Sequence, residues 1–442
     1  MCPNSSSART RSLALRKERD DACDSVTASA TDSDGARLAE ATHFLVDLAR
    51  ALHRYGTTAH RLENALQGVA MRLGIEAQFF STPTAVFLSA GLPGQEARTI
   101  LIRVDPGELH LERLALLDAV ATEVMEGRLS IERARRQIPE IMAAPARYGR
   151  ELRLLCAGLA SATAARFLGG GWREVAAAGG IGLLIGLFGT FTATRPRFAR
   201  LFEPMSAAFA AFVAAILGTW VHASGDRLSN YIVVLSALIT LVPGLTLTLA
   251  MSELSTRDLS SGSARLASAL MTFFTLAFGV ALGAQVAAVA LGMAPPTVAP
   301  MALPAWTELV ALLVAPFGFV VLLRASPRDV PWILCAGGLA YGGVRLGALF
   351  LGAQLGAFVG AIAVGAGSNL YARWLDRPAA VTQVPGILFL VPGSIGFQSL
   401  ASLLESDVVS GIETAFRMTL VAIALVAGLL VSNVVVPPRK AL

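Results

Sequence analysis

The sequence predicts a mainly α-helical, polytopic membrane protein: a bundle of about ten spans in two inverted five-helix repeats, preceded by a small soluble α+β domain. Three observations predict it. Hydrophobic residues make up 54% of the 442 and charged residues 15%, with a mean hydropathy of +0.61, a composition too apolar to be water-soluble over most of its length. Apolar stretches of membrane-spanning length, near 20 residues, then follow one another from about residue 150 onward. Finally, Leu241-Val242-Pro243-Gly244 recurs as Leu390-Val391-Pro392-Gly393 at an offset of 149 residues. The register persists downstream, with Leu254 over Leu403, Asp258 over Asp407 and Ser261-Gly262 over Ser410-Gly411.

Residues 1–35 are rich in Ser, Ala, Asp and Arg and contain no apolar run, so they read as a disordered tail and not as a signal peptide. Residues 36–147 read as the soluble domain. Leu38, Ala41, Leu45, Leu48 and Leu52 recur at helical spacing, and a second helix runs from a Thr57 or Thr58 cap through Leu62, Leu66, Val69 and Leu73 to Gly74. The period then changes: 75–80, 84–89 and 99–104 read as strands, separated by Pro83 and by Gly91-Leu92-Pro93-Gly94. Helices over 111–126 and 130–141 follow, and Pro145 closes the domain.

The predicted spans lie near 151–168, 173–192, 204–222, 230–251 and 265–291 in a first membrane repeat (148–292). Those of a second repeat (293–442) lie near 306–324, 331–350, 353–372, 383–402 and 412–434. Arginine resists translocation and tests the count. Arg147, Arg150 and Arg153 precede the first span; Arg195, Arg197 and Arg200 follow the second; Arg257 and Arg265 flank the loop after the fourth. Arg324 and Arg328 follow the sixth, Arg373 and Arg377 the eighth, and Arg439-Lys440 the tenth. All fall on one side, against Arg166, Arg173 and Arg227 on the other, which makes both termini cytoplasmic. This placement also accounts for the net charge of +5 without a nucleic-acid partner.

A duplicated unit of five spans must be inverted in the bilayer, an arrangement common among secondary transporters. Proline removes a helix hydrogen bond and glycine loosens what remains, so a Pro-Gly pair inside a span frees backbone groups to meet something polar. Pro243-Gly244, Pro392-Gly393 and a third pair, Pro385-Gly386, with the hydroxyls of Thr246 and Thr248, are the candidate substrate-binding groups. Glu253, Asp258 and Ser261 beside the first break, and Glu405 and Asp407 beside the second, are candidates for coupling or gating; Asp258 and Asp407 serve equally as N-caps of the helices that follow. Glu308 and Arg345, ionisable groups within or at the mouth of spans, are functional candidates and the two to check for pairing, with a solvated interfacial position expected for Glu308.

Glycine ribbons, Gly352-xxx-Gly356-xxx-Gly360 with Gly338-xxx-Gly342 and Gly343-xxx-Gly347 on the span before, suit close helix packing within the chain or in a homo-oligomer. His53, His60 and Glu63 read as solvated helix surface and not as a metal cluster, and the four scattered cysteines carry no metal or disulfide signature. No metal or cofactor is expected, and no hydrolase or nucleotide fingerprint occurs.

Tyr55-Gly56-Thr57-Thr58 with His60-Arg61-Leu62-Glu63, Val242-Pro243-Gly244 through Asp258 to Ser261-Gly262, and Val384-Pro385-Gly386 with Val391-Pro392-Gly393 resemble three motifs of the threonine/serine exporter family. The likeness covers nearly all of positions 36–434. It implies a ten-span exporter of threonine and serine in the plasma (inner) membrane, with a cytoplasmic N-terminal domain, driven by the proton motive force. Composition and spacing alone say nothing of threonine. They favour a non-enzymatic transporter of small molecules over a membrane-anchored enzyme or sensor acting through residues 36–147, because an anchor needs neither so many spans nor a duplication; a channel is the third reading.

Overall fold

The computed structural model describes residues 34–438 apart from Pro106, 293–299, Ala302, 353–354 and 391–407, of which last stretch only Gly393, Ile395, Gly396 and Ser399 are described. The predicted tail, Pro392, Glu405 and Asp407 lie outside the described residues.

The N-terminal part is α1 (residues 34–54), α2 (Ala59–Leu73), strands β1 (Glu76–Thr82), β2 (Ala85–Gly91) and β3 (Arg98–Arg103), then α3 (Leu111–Met125) and α4 (Ile131–Ala143). The strands form an antiparallel meander in the order β1-β2-β3, with Thr82 opposite Ala85 across a tight turn and Ala85 opposite Arg103. Alternation decides which face is buried: Val86, Leu88 and Ala90 of β2 point inward while Phe87 points out. The core is filled by Phe44, Leu45, Leu48 and Leu52 of α1, Leu62 and Leu66 of α2, and Leu117 of α3. Gly74 stops α2 in the left-handed conformation at φ 71°, where its N–H reaches the carbonyl of Met71.

The rest is helical: α5 (Arg150–Phe167), α6 (Trp172–Thr192), a short α7 (Pro196–Ala199), α8 (Phe202–Ala223), α9 (Asn230–Ala237), α10 (Gly244–Ser255) and α11 (Leu259–Leu291). Then come α12 (Trp306–Leu322), α13 (Val330–Leu351), α14 (Gly356–Leu375), α15 (Ala380–Leu388) and α16 (Val408–Val435). Among the described residues, five helices are long and apolar enough to cross a membrane: Trp172–Thr192, Phe202–Ala223, Leu259–Leu291, Pro327–Leu351 and Val409–Val435. The stretch predicted at 230–251 is two helices, because the carbonyl of Leu238 accepts from both Leu241 and Val242 N–H and turns the chain five residues before Pro243. The adjoining stretches at 331–350 and 353–372 are separated at Gly352, whose φ of 84° only glycine adopts freely.

Helix α8 packs on α11, and α14 packs on α16. The glycine ribbon is spent inside the chain: a Cβ built on Gly343 would lie 2.7 Å from Gly360 Cα, and one on Gly347 would lie 2.9 Å from Gly356 Cα, so α13 and α14 touch backbone to backbone. Gly338 and Gly342, one face away, meet nothing within 4 Å.

Candidate functional site

The two Val-Pro-Gly segments meet. Gly393 is buried, and a Cβ placed on it would stand 2.7 Å from Val242 Cγ1 and 3.2 Å from Gly244 Cα. Helix α10 starts at this contact, with Pro243 at its N-cap, and runs toward the N-terminal domain; α15 starts at the domain and runs toward the contact. Helices α10 and α15 thus run in opposite senses.

Of the predicted groups around the breaks, Thr248 is buried and its hydroxyl donates to the Gly244 carbonyl at 3.0 Å, so it is committed to its own helix. Thr246 is half-buried beside it. Pro385-Gly386 is not a break. Helix α15 continues through it to Leu388, with Pro385 inside the helix and one backbone hydrogen bond forgone. Gly386 lies against Val364 Cγ1 of α14, where a Cβ would come within 2.6 Å.

Glu253 and Asp258 sit where α10 hands over to α11, against the N-terminal domain. Glu253 is fully buried: Oε1 accepts from the Ala59 backbone N–H at 3.2 Å, and Oε2 lies 3.0 Å from Arg265 Nε. The free N–H groups and partial positive charge at the start of α2 attract a carboxylate. Thr58, the residue in the N-cap position, makes no capping bond of its own, so α2 is capped by a side chain 194 residues away.

Asp258 Oδ2 accepts from the Thr256 hydroxyl at 2.7 Å and lies 3.8 Å from His60 Nδ1. It occupies the N-cap position of α11 without a side-chain capping bond. Arg61 Nη2 donates to Gln383 Oε1 of α15 at 2.8 Å. The first turn of α2 therefore holds both broken elements at once. Ser261 is buried with no hydrogen-bond partner among the described residues, and Gly262 beside it lets α11 close on Leu254 of α10.

His53 and Glu63 are not the solvated surface expected. The His53 imidazole is buried and donates from Nε2 to the Thr82 carbonyl at 2.7 Å; Glu63 Oε1 accepts from Ser81 N–H at 2.6 Å, so the two pin β1 to the helices. Burial and the neighbouring Arg61 hold the His60 imidazole below its usual range, against the pull of Asp258, and burial pushes the Glu63 carboxyl up. The only spacing cue, seven residues between His53 and His60, carried no hint of this, because their partners come from a strand and from the membrane part.

On the opposite end of the bundle, Glu308 lies at the mouth of α12, half-buried and paired. Oε2 accepts from the Tyr341 hydroxyl at 2.7 Å and from Arg345 Nη2 at 2.8 Å, while Arg166 lies 3.6 Å from Oε1 and donates to Thr307 Oγ1. Charged networks thus lie at both ends of the bundle, and between them Gly393 packs on Val242 and Gly244. Among the described residues no three His, Cys, Asp or Glu side chains converge as a metal set.

Two family models match the chain, "Putative threonine/serine exporter" over residues 43–287 and "Threonine/Serine exporter, ThrE" over residues 308–435. Curated relatives include Pheromone-regulated membrane protein 10 of Candida albicans (strain WO-1), 26% identical over 397 residues that make up 87% of this chain and 35% of that protein. The protein of the same name from Eremothecium gossypii is 26% identical over 426 residues, 91% of this chain and 57% of its own. An uncharacterized Schizosaccharomyces pombe protein is 26% identical over 395 residues, 87% of this chain and 50% of its own. The chain thus spans between about a third and somewhat over half the length of these relatives. No solved structure matches. The matched models cover the N-terminal domain, both Val-Pro-Gly elements and the helices between them: the chain belongs to the threonine/serine exporter family.

Proposed function

We propose that this chain is a secondary active transporter that exports threonine and serine across the plasma membrane, coupled to the proton motive force. In this reading ten spans form two inverted five-helix repeats: α5, α6, α8, α9 with α10, and α11, then α12, α13, α14, α15 with its continuation, and α16. The N-terminal domain and both termini are cytoplasmic. The observation that carries the reading is the seating of Gly393 on Val242 and Gly244, with α10 and α15 running in opposite senses. The pairing of α8 with α11 and of α14 with α16, third with fifth member in each repeat, supports the duplication.

In this reading backbone groups at the two Val-Pro-Gly segments bind the amino-acid zwitterion once the segments part, with the hydroxyl of Thr246 beside them. Glu253 and Asp258, with Glu405 and Asp407 in the other repeat, remain the candidates to carry the proton or gate the path. A strain lacking the protein should accumulate threonine or serine when fed a dipeptide source, and proteoliposomes should concentrate labelled threonine against its gradient until an uncoupler is added. Unchanged efflux in the deletion strain would remove the substrate assignment; uncoupler-insensitive, purely downhill flux would make the protein a channel.

A further inference from the structure

A cavity of about 600 Å³ lies away from the breaks, at the seam between the N-terminal domain and the end of α12. Its walls carry Arg50, Arg54 and Arg113 from the domain and Arg324 from beyond α12, against Asp47 and Glu108. The volume falls within the range of about 300–1,000 Å³ usual for small-molecule sites.

The two carboxylates are already engaged: Asp47 lies 3.6 Å from Arg135, and Glu108 pairs with Arg324. Arg113 is held in place, donating to the Tyr55 hydroxyl at 2.9 Å and to the Ala144 carbonyl at 2.5 Å, with its guanidinium over the Tyr55 ring. Arg50 and Arg54 are exposed, and their side chains make no hydrogen bond or ion pair among the described residues. They stand four residues apart on α1, so two like charges share one face of the helix, an unfavourable pairing that an anion between them relieves. Membrane orientation does not explain these arginines. Topogenesis counts basic residues within about 15–20 positions of a span, and Arg50, Arg54 and Arg113 lie well upstream of α5.

The seam itself is built to couple the two parts. The backbone N–H groups of Leu111 and Glu112, at the start of α3, donate to the carbonyls of Leu323 and Arg324 at 3.0 and 3.1 Å. The end of α12 and the start of α3 thus satisfy each other's free backbone groups, and an occupant of the cavity touches both sides of that joint.

We propose that this seam binds a phosphate-bearing anion, either a small soluble phosphate compound or the headgroup of an anionic lipid, through Arg50 and Arg54 with Arg113 behind them. Guanidinium forks match phosphate oxygens in pairs, and the site offers two unpaired ones beside a third already oriented. The inference does not depend on what solute is transported.

The test uses the full-length protein in nanodiscs. In phosphatidylcholine discs, calorimetric titration with pyrophosphate should give saturable binding. The double variant Arg50→Gln/Arg54→Gln should weaken it by about tenfold or more, Asp47→Asn should tighten it, and Arg98→Gln/Arg103→Gln on β3 should leave it unchanged. In discs containing phosphatidylglycerol, native mass spectrometry should show that lipid retained by the wild type and lost from the first double variant if the anion is a headgroup. Arginine-dependent binding in either arm upholds the site and says which source fills it. No binding in both arms, equal binding by Arg50→Gln/Arg54→Gln, or an equal loss in the β3 control overturns it. Thermal melting of each variant verifies that the comparison is among folded proteins.

Discussion

At the residue scale the consequential group is Glu253, a carboxylate with no exposure that accepts from a helix start on one side and lies 3.0 Å from a guanidinium on the other. Removing the charge leaves Arg265 without its partner in a site only a fifth exposed, and breaking a buried pair costs about 3–5 kcal/mol. Glu253→Gln should therefore lower the unfolding free energy by roughly 3 kcal/mol, whereas Asp258→Asn, on a half-buried carboxylate 3.8 Å from its histidine, should cost less than about 1 kcal/mol. Thermal or denaturant melting of the two variants in detergent reads the difference.

His110 makes a second residue-scale prediction. Burial, with Arg113 and Arg324 nearby, drives its imidazole down to about 4, and its neutral Nδ1 accepts from the Arg113 N–H to cap α3. The unfolded chain takes up that proton near pH 6.5 and the folded one resists it. The contribution is thus complete above pH 6.5 and is lost as the pH falls toward 4. The melting temperature should decline over that interval, and His110→Gln should flatten the decline.

At the scale of elements, helix contact is governed by small residues and not by apolar content alone. Lipid is as apolar as leucine, so burial gives little reason for two spans to associate, and close backbone approach supplies it. Gly347→Leu forces its side chain into α14, at a cost of about 3 kcal/mol from overpacking; Gly338→Leu, which faces open space on the same helix, should change stability by less than about 1 kcal/mol. Comparing the melting of the two variants isolates packing from any effect of adding a leucine to α13. The same scale shows where local rules were misleading. Pro385-Gly386 has the composition of a break, yet α15 runs through it, whereas the turn before α10 opens at Leu238, where no proline or glycine stands.

For the whole molecule, the question is whether the touching breaks must separate during the cycle. In a background without the native cysteines, Val242→Cys with Gly393→Cys places two thiols at the contact between the segment before α10 and Gly393. Oxidation should link the tryptic fragments that carry the two positions and halt transport, and reduction should restore it. Transport that continues in the cross-linked protein would mean that the breaks do not part.

The sequence by itself determined the membrane class, the small N-terminal fold with its three strands to within one or two residues, and the duplicated Val-Pro-Gly element, because these rest on periodicity, apolar length and repeated letters in contiguous chain. The family likeness was equally visible in the motifs. Only the tertiary structure decided that Gly393 closes on Val242 and Gly244, that Glu253 caps α2 across 194 residues, that His53 and Glu63 are structural pins, and that Glu308 is paired. The physical reason is the same in each case: burial and hydrogen bonding are settled by partners far away along the chain, and no local pattern in a sequence records which distant group will satisfy a buried charge or fill the space beside a glycine.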